Sequence, residues 1–290
     1  MTRHIRQNFL DDLKNGELKL LLECVQNDDT LDLELRGDSV VIYYRGGKLL
    51  TVKEKGYELE KLDKNYITGG ASIFDPTIKN IAEYFPKAKY IVDFYIRNVR
   101  NHLWEKEIQQ RVVQENNYSS HSKSTDYYII DTEYQENEIG RFDIVALRWD
   151  SDRTSRKLQK EYKPQITVFE VKQGCKSVSG ESGMSAHLED FKRFISDTAK
   201  VNAFKQDMIN VFRQKRELGL IDCQNPHDIS VIEDDIEFVF LLANYDPDSS
   251  SLKNELEKIS DCKFIYANPM GYVLNARNVI DKAEFVKRNF

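Results

Sequence analysis

Leu31, Leu33 and Leu35 alternate with Asp32, Glu34 and Arg36, the period of a half-buried strand with one apolar face. Gly37-Asp38 then turns the chain into an apolar run at 40–44, and Gly46-Gly47 turns it again into 49–52. The first 75 or so residues therefore predict a short helix followed by a meander of hairpin-connected strands. Asp75 precedes Pro76, an N-cap followed by proline at the first helical position, which opens a helix expected to end near Phe85-Pro86. A longer helical run is expected from about residue 89 to 116. The change from strand-rich to helical pattern sets a boundary between 75 and 97, giving an N-terminal meander plus helix at 1–96 and a second domain at 97–290.

Downstream the pattern alternates. Strand signals fall at 127–134, 142–149, 166–172, 236–244 and 263–268, with helical signals at about 184–218 and 250–259. Three strands, a long helix and then strand–helix–strand imply an α/β fold, a mixed β-sheet core flanked by helices.

Composition narrows the function classes without choosing one. The chain has 290 residues, 40% hydrophobic and 31% charged, ordinary values for a globular protein. No stretch approaches the ~18–20 apolar residues of a membrane helix, and the opening MTRHIRQNFLDDLKNG lacks an apolar signal core. A cytoplasmic protein with no membrane partner is expected. Cys24, Cys175, Cys223 and Cys262 lie far apart, which excludes a clustered zinc site or a disulfide framework and predicts reduced thiols. The net charge of −6 means that any nucleic-acid contact must come from a local patch or through bound cations.

The candidate chemistry lies between residues 140 and 172. Gly140-Arg141-Phe142-Asp143-Ile144-Val145-Ala146-Leu147 is an apolar strand with a carboxylate near its start, and Ile166-Thr167-Val168-Phe169-Glu170-Val171-Lys172 follows it. Residues two apart on a strand share a face, so Glu170 and Lys172 project together while Phe169 and Val171 face the packing. Such a charged pair is costly to bury without partners. A divalent cation shared with Asp143 would supply one, since magnesium takes a few carboxylates and keeps several waters. The acid-any-lysine pattern recurs at Asp12, Glu17, Glu161, Asp190 and Asp261, but only Glu170-Lys172 follows an acid-bearing strand on a β-branched apolar strand of its own.

Residues 140–147 followed by 168–173 resemble the PD-(D/E)xK phosphodiesterases, the restriction-endonuclease-like fold. The resemblance covers about residues 97–200. Phe142 stands where the motif's proline would be. The resemblance implies that Asp143 and Glu170 bind Mg2+ or Mn2+ with help from the Val171 carbonyl. It also implies that Lys172 is catalytic, and that the substrate is DNA in preference to RNA, in bacterial defence or repair.

The superfamily tends to carry a further acid on the helix before the first core strand. Glu107 falls within the stripe Leu103, Trp104, Ile108, Val112 and Glu105 nearer its edge, so Glu107 is the candidate, with an i,i+4 ion pair to Arg111 as the alternative role. Glu133, on the strand before Asp143, and His187, at the start of the next long helix, are auxiliary candidates. His187 sits three after Met184 and four before Phe191, a spacing that also suits a core or capping histidine. The connection at 148–164 holds Arg148, Arg153, Arg156 and Lys157 with Lys160 and Lys163 against three acids, a patch suited to steering phosphate. Two further readings compete with a metal-dependent nuclease. One is a catalytically silent module of the same fold that binds nucleic acid or a protein partner. The other, an unrelated α/β enzyme, lacks any glycine-rich phosphate loop or nucleophile elbow. Cleaving both strands of a duplex would require a homodimer or sequential nicks.

Overall fold

The structure is a computed structural model that describes residues 2–68, 71–99, 104–118, 123–136, 140–151, 163–174, 177–180, 182–223, 228–229, 231–246, 248–267 and 271–290. Two helices, α1 (Gln7–Asn15) and α2 (Lys19–Gln26), lead into an antiparallel meander: β1 (Leu31–Leu35), β2 (Ser39–Tyr44), β3 (Gly47–Lys53) and β4 (Leu59–Glu60). The β1 alternation is real but its polar side is not solvated: all five residues are buried. Glu34 receives Lys215 at 2.7 Å, and Tyr118 donates to Asp32 at 3.4 Å. The strand is sandwiched, and its second face is an internal ion cluster.

The expected helix from Asp75-Pro76 begins later and runs further. Thr77 and Asn80 form a capping box around a single 3-10 turn, and α3 (Ile81–Asn98) continues straight through Pro86. The buried stripe Ile81, Tyr84, Phe85, Ala88, Ile91, Val92 spans the proline without interruption, so packing of that face outweighs the hydrogen bond that proline removes. What reads as one helical run to 116 is α3 and then α4 (Trp104–Asn117).

The second sheet has six strands in the order β10-β9-β8-β7-β6-β5. They are β5 (Tyr127–Glu136), β6 (Gly140–Arg148), β7 (Gln165–Gln173), β8 (Glu237–Ala243), β9 (Lys263–Ala267) and β10 (Ile280–Asp281). The first three pair antiparallel, β7-β8-β9 pair parallel, and β10 returns antiparallel. The architecture is thus mixed α/β, a multi-strand sheet flanked by helices with a smaller antiparallel unit at the N-terminus. The expected helix at 184–218 is two, α5 (Met184–Ile195) and α6 (Thr198–Glu217), separated where Asp197 caps α6 through the Lys200 N–H. The chain continues through α7 (Ser250–Lys258) to α8 (Lys282–Asn289). Neither β10 nor α8 is announced by periodicity.

The sheet buries both faces. Ile108, Val112 and Val113 of α4 pack with Phe169, Val171, Val239 and Leu241 on one side. On the other, Val145, Leu147, Ile166 and Val168 join a core that includes α5, α6 and the N-terminal helices and meander. Charged groups fasten the meander as well: Arg3 and Arg36 both engage Asp131 of β5. Among the described residues no helix is long and apolar enough to cross a membrane.

Candidate active site

β6 and β7 converge where the expected motif lies. Their ladder ends at Ile144–Phe169, and the next residue on each strand is Asp143 and Glu170. The Val171 N–H donates to Asp143 Oδ2 at 2.9 Å, so it is this amide that the structure ties to the acid. Phe142 anchors the strand just before Asp143. Its ring stacks on Tyr134 at 6.2 Å and meets Phe194 edge-on at 5.1 Å. An aromatic anchor thus occupies the motif's proline position.

Glu170 and Lys172 share a face, as period two requires. Lys172 Nζ donates to Glu170 Oε1 at 2.7 Å and to the Ser182 carbonyl at 3.0 Å. His187 Nε2 stands 3.1 Å from the same Oε1. The other oxygen, Glu170 Oε2, is buried without a hydrogen-bond partner among the described residues, an arrangement that costs free energy unless something supplies positive charge. The cluster lies at the C-terminal end of β7, where parallel strands of α/β sheets commonly place ligands. It is deeply enclosed: Asp143, Glu170 and Lys172 are 2%, 1% and 2% exposed.

The electrostatics follow from that enclosure. Burial drives the Asp143 carboxyl well above the usual carboxylate range, and the charges of Glu170 and Glu105 add to it against Lys172. Burial likewise pushes Glu170 up to about 7, held back by Lys172 and raised further by Glu105. Glu105 is raised by burial, and by Glu133, against the pull of Lys172. Burial and the Lys172 charge hold His187 down at about 4, so its imidazole is neutral at pH 7. Three mutually repelling acids beside one lysine form a site short of positive charge.

Glu105, rather than Glu107, is the helix acid that belongs to this cluster. Glu107 is buried but turned away. It accepts from Arg45 at 3.1 Å and from Arg111 at 2.8 Å, lining a separate cleft of about 790 Å³ with Tyr44, Asp93 and Tyr272. The i,i+4 pair with Arg111 is formed. Glu105 stands three residues before Ile108 and seven before Val112, both buried, which is the same face of a 3.6-residue helix. That signal was available in the sequence, but Leu103, used to set the stripe, lies outside the described residues.

Glu133 does not join Asp143 either. The ladder pairs on either side, Thr132–Ile144 and Tyr134–Phe142, bracket the two residues, but Glu133 itself has φ +55°. Its carboxylate meets Arg141 at 2.8 Å and Lys106 at 3.1 Å. His187, for which the sequence allowed a core role, faces the acids. Arg148 is misplaced for steering: it pairs with Gln165 at the opposite end of β6 and β7. Five residues separate it from Asp143, about 17 Å along a strand, and its guanidinium is held by Asp150 at 3.0 Å. Arg153, Arg156 and Lys157 lie outside the described residues, but the described ends of their connection lie away from the acids.

The donor set suits a hard divalent cation. Among the described residues no three His, Cys, Asp or Glu side chains form a cluster that could hold a metal. Two buried carboxylates, one oxygen unpaired, fit an ion that keeps much of its water, as Mg2+ does. No family model, no curated protein and no solved structure matches the chain.

Proposed function

We propose that the chain is a nuclease-fold module of PD-(D/E)xK type that hydrolyses phosphodiesters, DNA in preference to RNA, with Mg2+ or Mn2+ held by Asp143 and Glu170. The observation that carries this reading is Glu170 Oε2, a buried oxygen without a partner beside Asp143, with Lys172 committed to the other oxygen. When bound, the ion would polarise the phosphate and lower the pKa of a water ligand. Lys172, fixed between Glu170 and the Ser182 carbonyl, would orient the attacking water and meet charge developing on phosphate. Glu105 adds negative charge that draws the cation in. Neutral His187 stands ready to accept a proton once the acids carry metal.

A second reading is favoured by the burial of Asp143, Glu170 and Lys172: a silent module of the same fold that binds nucleic acid or a protein partner. Incubation of single-stranded DNA, duplex DNA and RNA with Mg2+ or Mn2+ separates the two. The enzyme reading requires cleavage that EDTA abolishes and that Lys172→Gln lacks. Absence of cleavage of all three substrates would leave the silent module.

A further inference from the structure

Three elements bring charged side chains together just outside the buried acids. Arg141 reaches from β6 and Lys106 from α4, and both meet Glu133 Oε2 on β5. Gln109 donates to Glu133 Oε1 at 3.0 Å. The two cations are each 47% exposed, whereas the motif residues beneath are almost wholly enclosed. Arg141 is two residues before Asp143, and its charge acts on Glu105, Glu170 and His187. Lys106 follows Glu105 directly and acts on it as well. The pair therefore stands near the buried acids and reaches solvent.

Glu133 is held there by the N-terminal unit. Arg3 donates to the Glu133 carbonyl at 2.7 Å, and Arg36 to the Thr132 carbonyl at 2.9 Å. Both guanidiniums also meet the Asp131 carboxylate. This backbone grip maintains a left-handed residue inside a strand, a conformation that persists only where the surroundings over-determine it. Its result is one acid aimed at two cations.

We propose that Arg141 and Lys106 are a phosphate clamp for the nucleic-acid backbone, and that Glu133 fills the clamp in the free protein. The proposal rests on the phosphodiesterase reading and deepens it. Carboxylate and phosphate are alternative partners for the same guanidinium, so a backbone phosphate can take the place of Glu133 on Arg141 and Lys106. An acidic chain thereby gains a local basic contact at its site.

Binding of short fluorescent DNA, single-stranded and duplex, is measured in EDTA across about 50–200 mM salt. Arg141→Ala and Lys106→Ala should each flatten the log K against log salt slope by about one. Arg141→Lys should restore most of it, and Glu133→Gln should bind more tightly than wild type. Arg148→Ala should keep the wild-type slope. If wild type binds and both alanine variants keep its slope, the clamp is overturned and the phosphodiesterase reading stands. If wild type binds neither DNA, the clamp is overturned, and the cleavage assay with Mg2+ or Mn2+ decides the phosphodiesterase reading separately.

Discussion

His187 Nε2 and Lys172 Nζ converge on one oxygen of Glu170, at 3.1 and 2.7 Å, while the second oxygen of that carboxylate has no hydrogen-bond partner among the described residues. Here the imidazole and the ammonium both meet one oxygen of Glu170, and the Val171 amide orients the neighbouring Asp143. Enclosure then makes every missing positive charge expensive.

The two acids of the first turn of α4 should separate cleanly. Glu105→Gln should weaken Mn2+ binding and lower any cleavage rate, because Glu105 acts on Asp143 and Glu170. Glu107→Gln should leave both unchanged and act on stability instead, by loosening Arg45 and Arg111. Parallel metal titrations and melting curves decide it. Loss of metal binding in Glu107→Gln with none in Glu105→Gln would reverse the assignment.

The tip of the β2–β3 hairpin should govern where α4 sits. Gly46 has φ +74°, and a Cβ there would lie 2.5 Å from Lys106 Cβ and 2.8 Å from the Lys106 carbonyl carbon. Its N–H donates to Gln110 at 2.8 Å, and at the far end of the helix the Asn117 side chain bonds both the N–H and the carbonyl of Ile129. Gly46→Ala should lower unfolding free energy by about 1–3 kcal/mol. It should also weaken Mn2+ binding, since it displaces the turn that bears Glu105. A neutral effect in urea titration would mean that the hairpin does not brace the helix.

Glu34 should make stability pH-dependent. Its burial pushes the carboxyl from 4.5 up to about 8, against the opposing charge of Lys215. For an acid whose folded pKa is raised, the folded state holds the proton longer than the unfolded one. The associated stability is complete below pH 4.5 and is lost as pH rises through about 8. Relative to wild type, Glu34→Gln should therefore gain stability between pH 5 and 8 in urea melts. A variant that loses relative stability over that range would show instead that the ion pair with Lys215 keeps Glu34 charged.

Much of this arrangement is legible in the sequence. The strands of both sheets announce themselves by period two or by short β-branched runs, and the acid-bearing β6 followed by Glu170-Lys172 locates the central cluster. What escaped has physical reasons. The polar side of β1 resembles a solvent face until Lys215, some 180 residues away, is packed against it. Pro86 reads as a stop because the gain from the stripe on either side is tertiary. The β6–β7 register decides the fate of Arg148, and a left-handed backbone that no local pattern encodes decides that of Glu133. Glu105 was within reach: counting from Ile108 and Val112 places it inward.

The central claim is that Asp143 and Glu170 hold a divalent cation, and calorimetric titration of Mn2+ into wild type and Asp143→Asn tests it most directly. Asparagine keeps an oxygen for the Val171 N–H, so the fold should survive, as far-UV circular dichroism would verify. The account predicts one saturable site per chain in wild type, displaced by Mg2+, and no saturable binding in Asp143→Asn. A wild type that takes up no Mn2+, or an Asp143→Asn variant that binds it equally well, would contradict it.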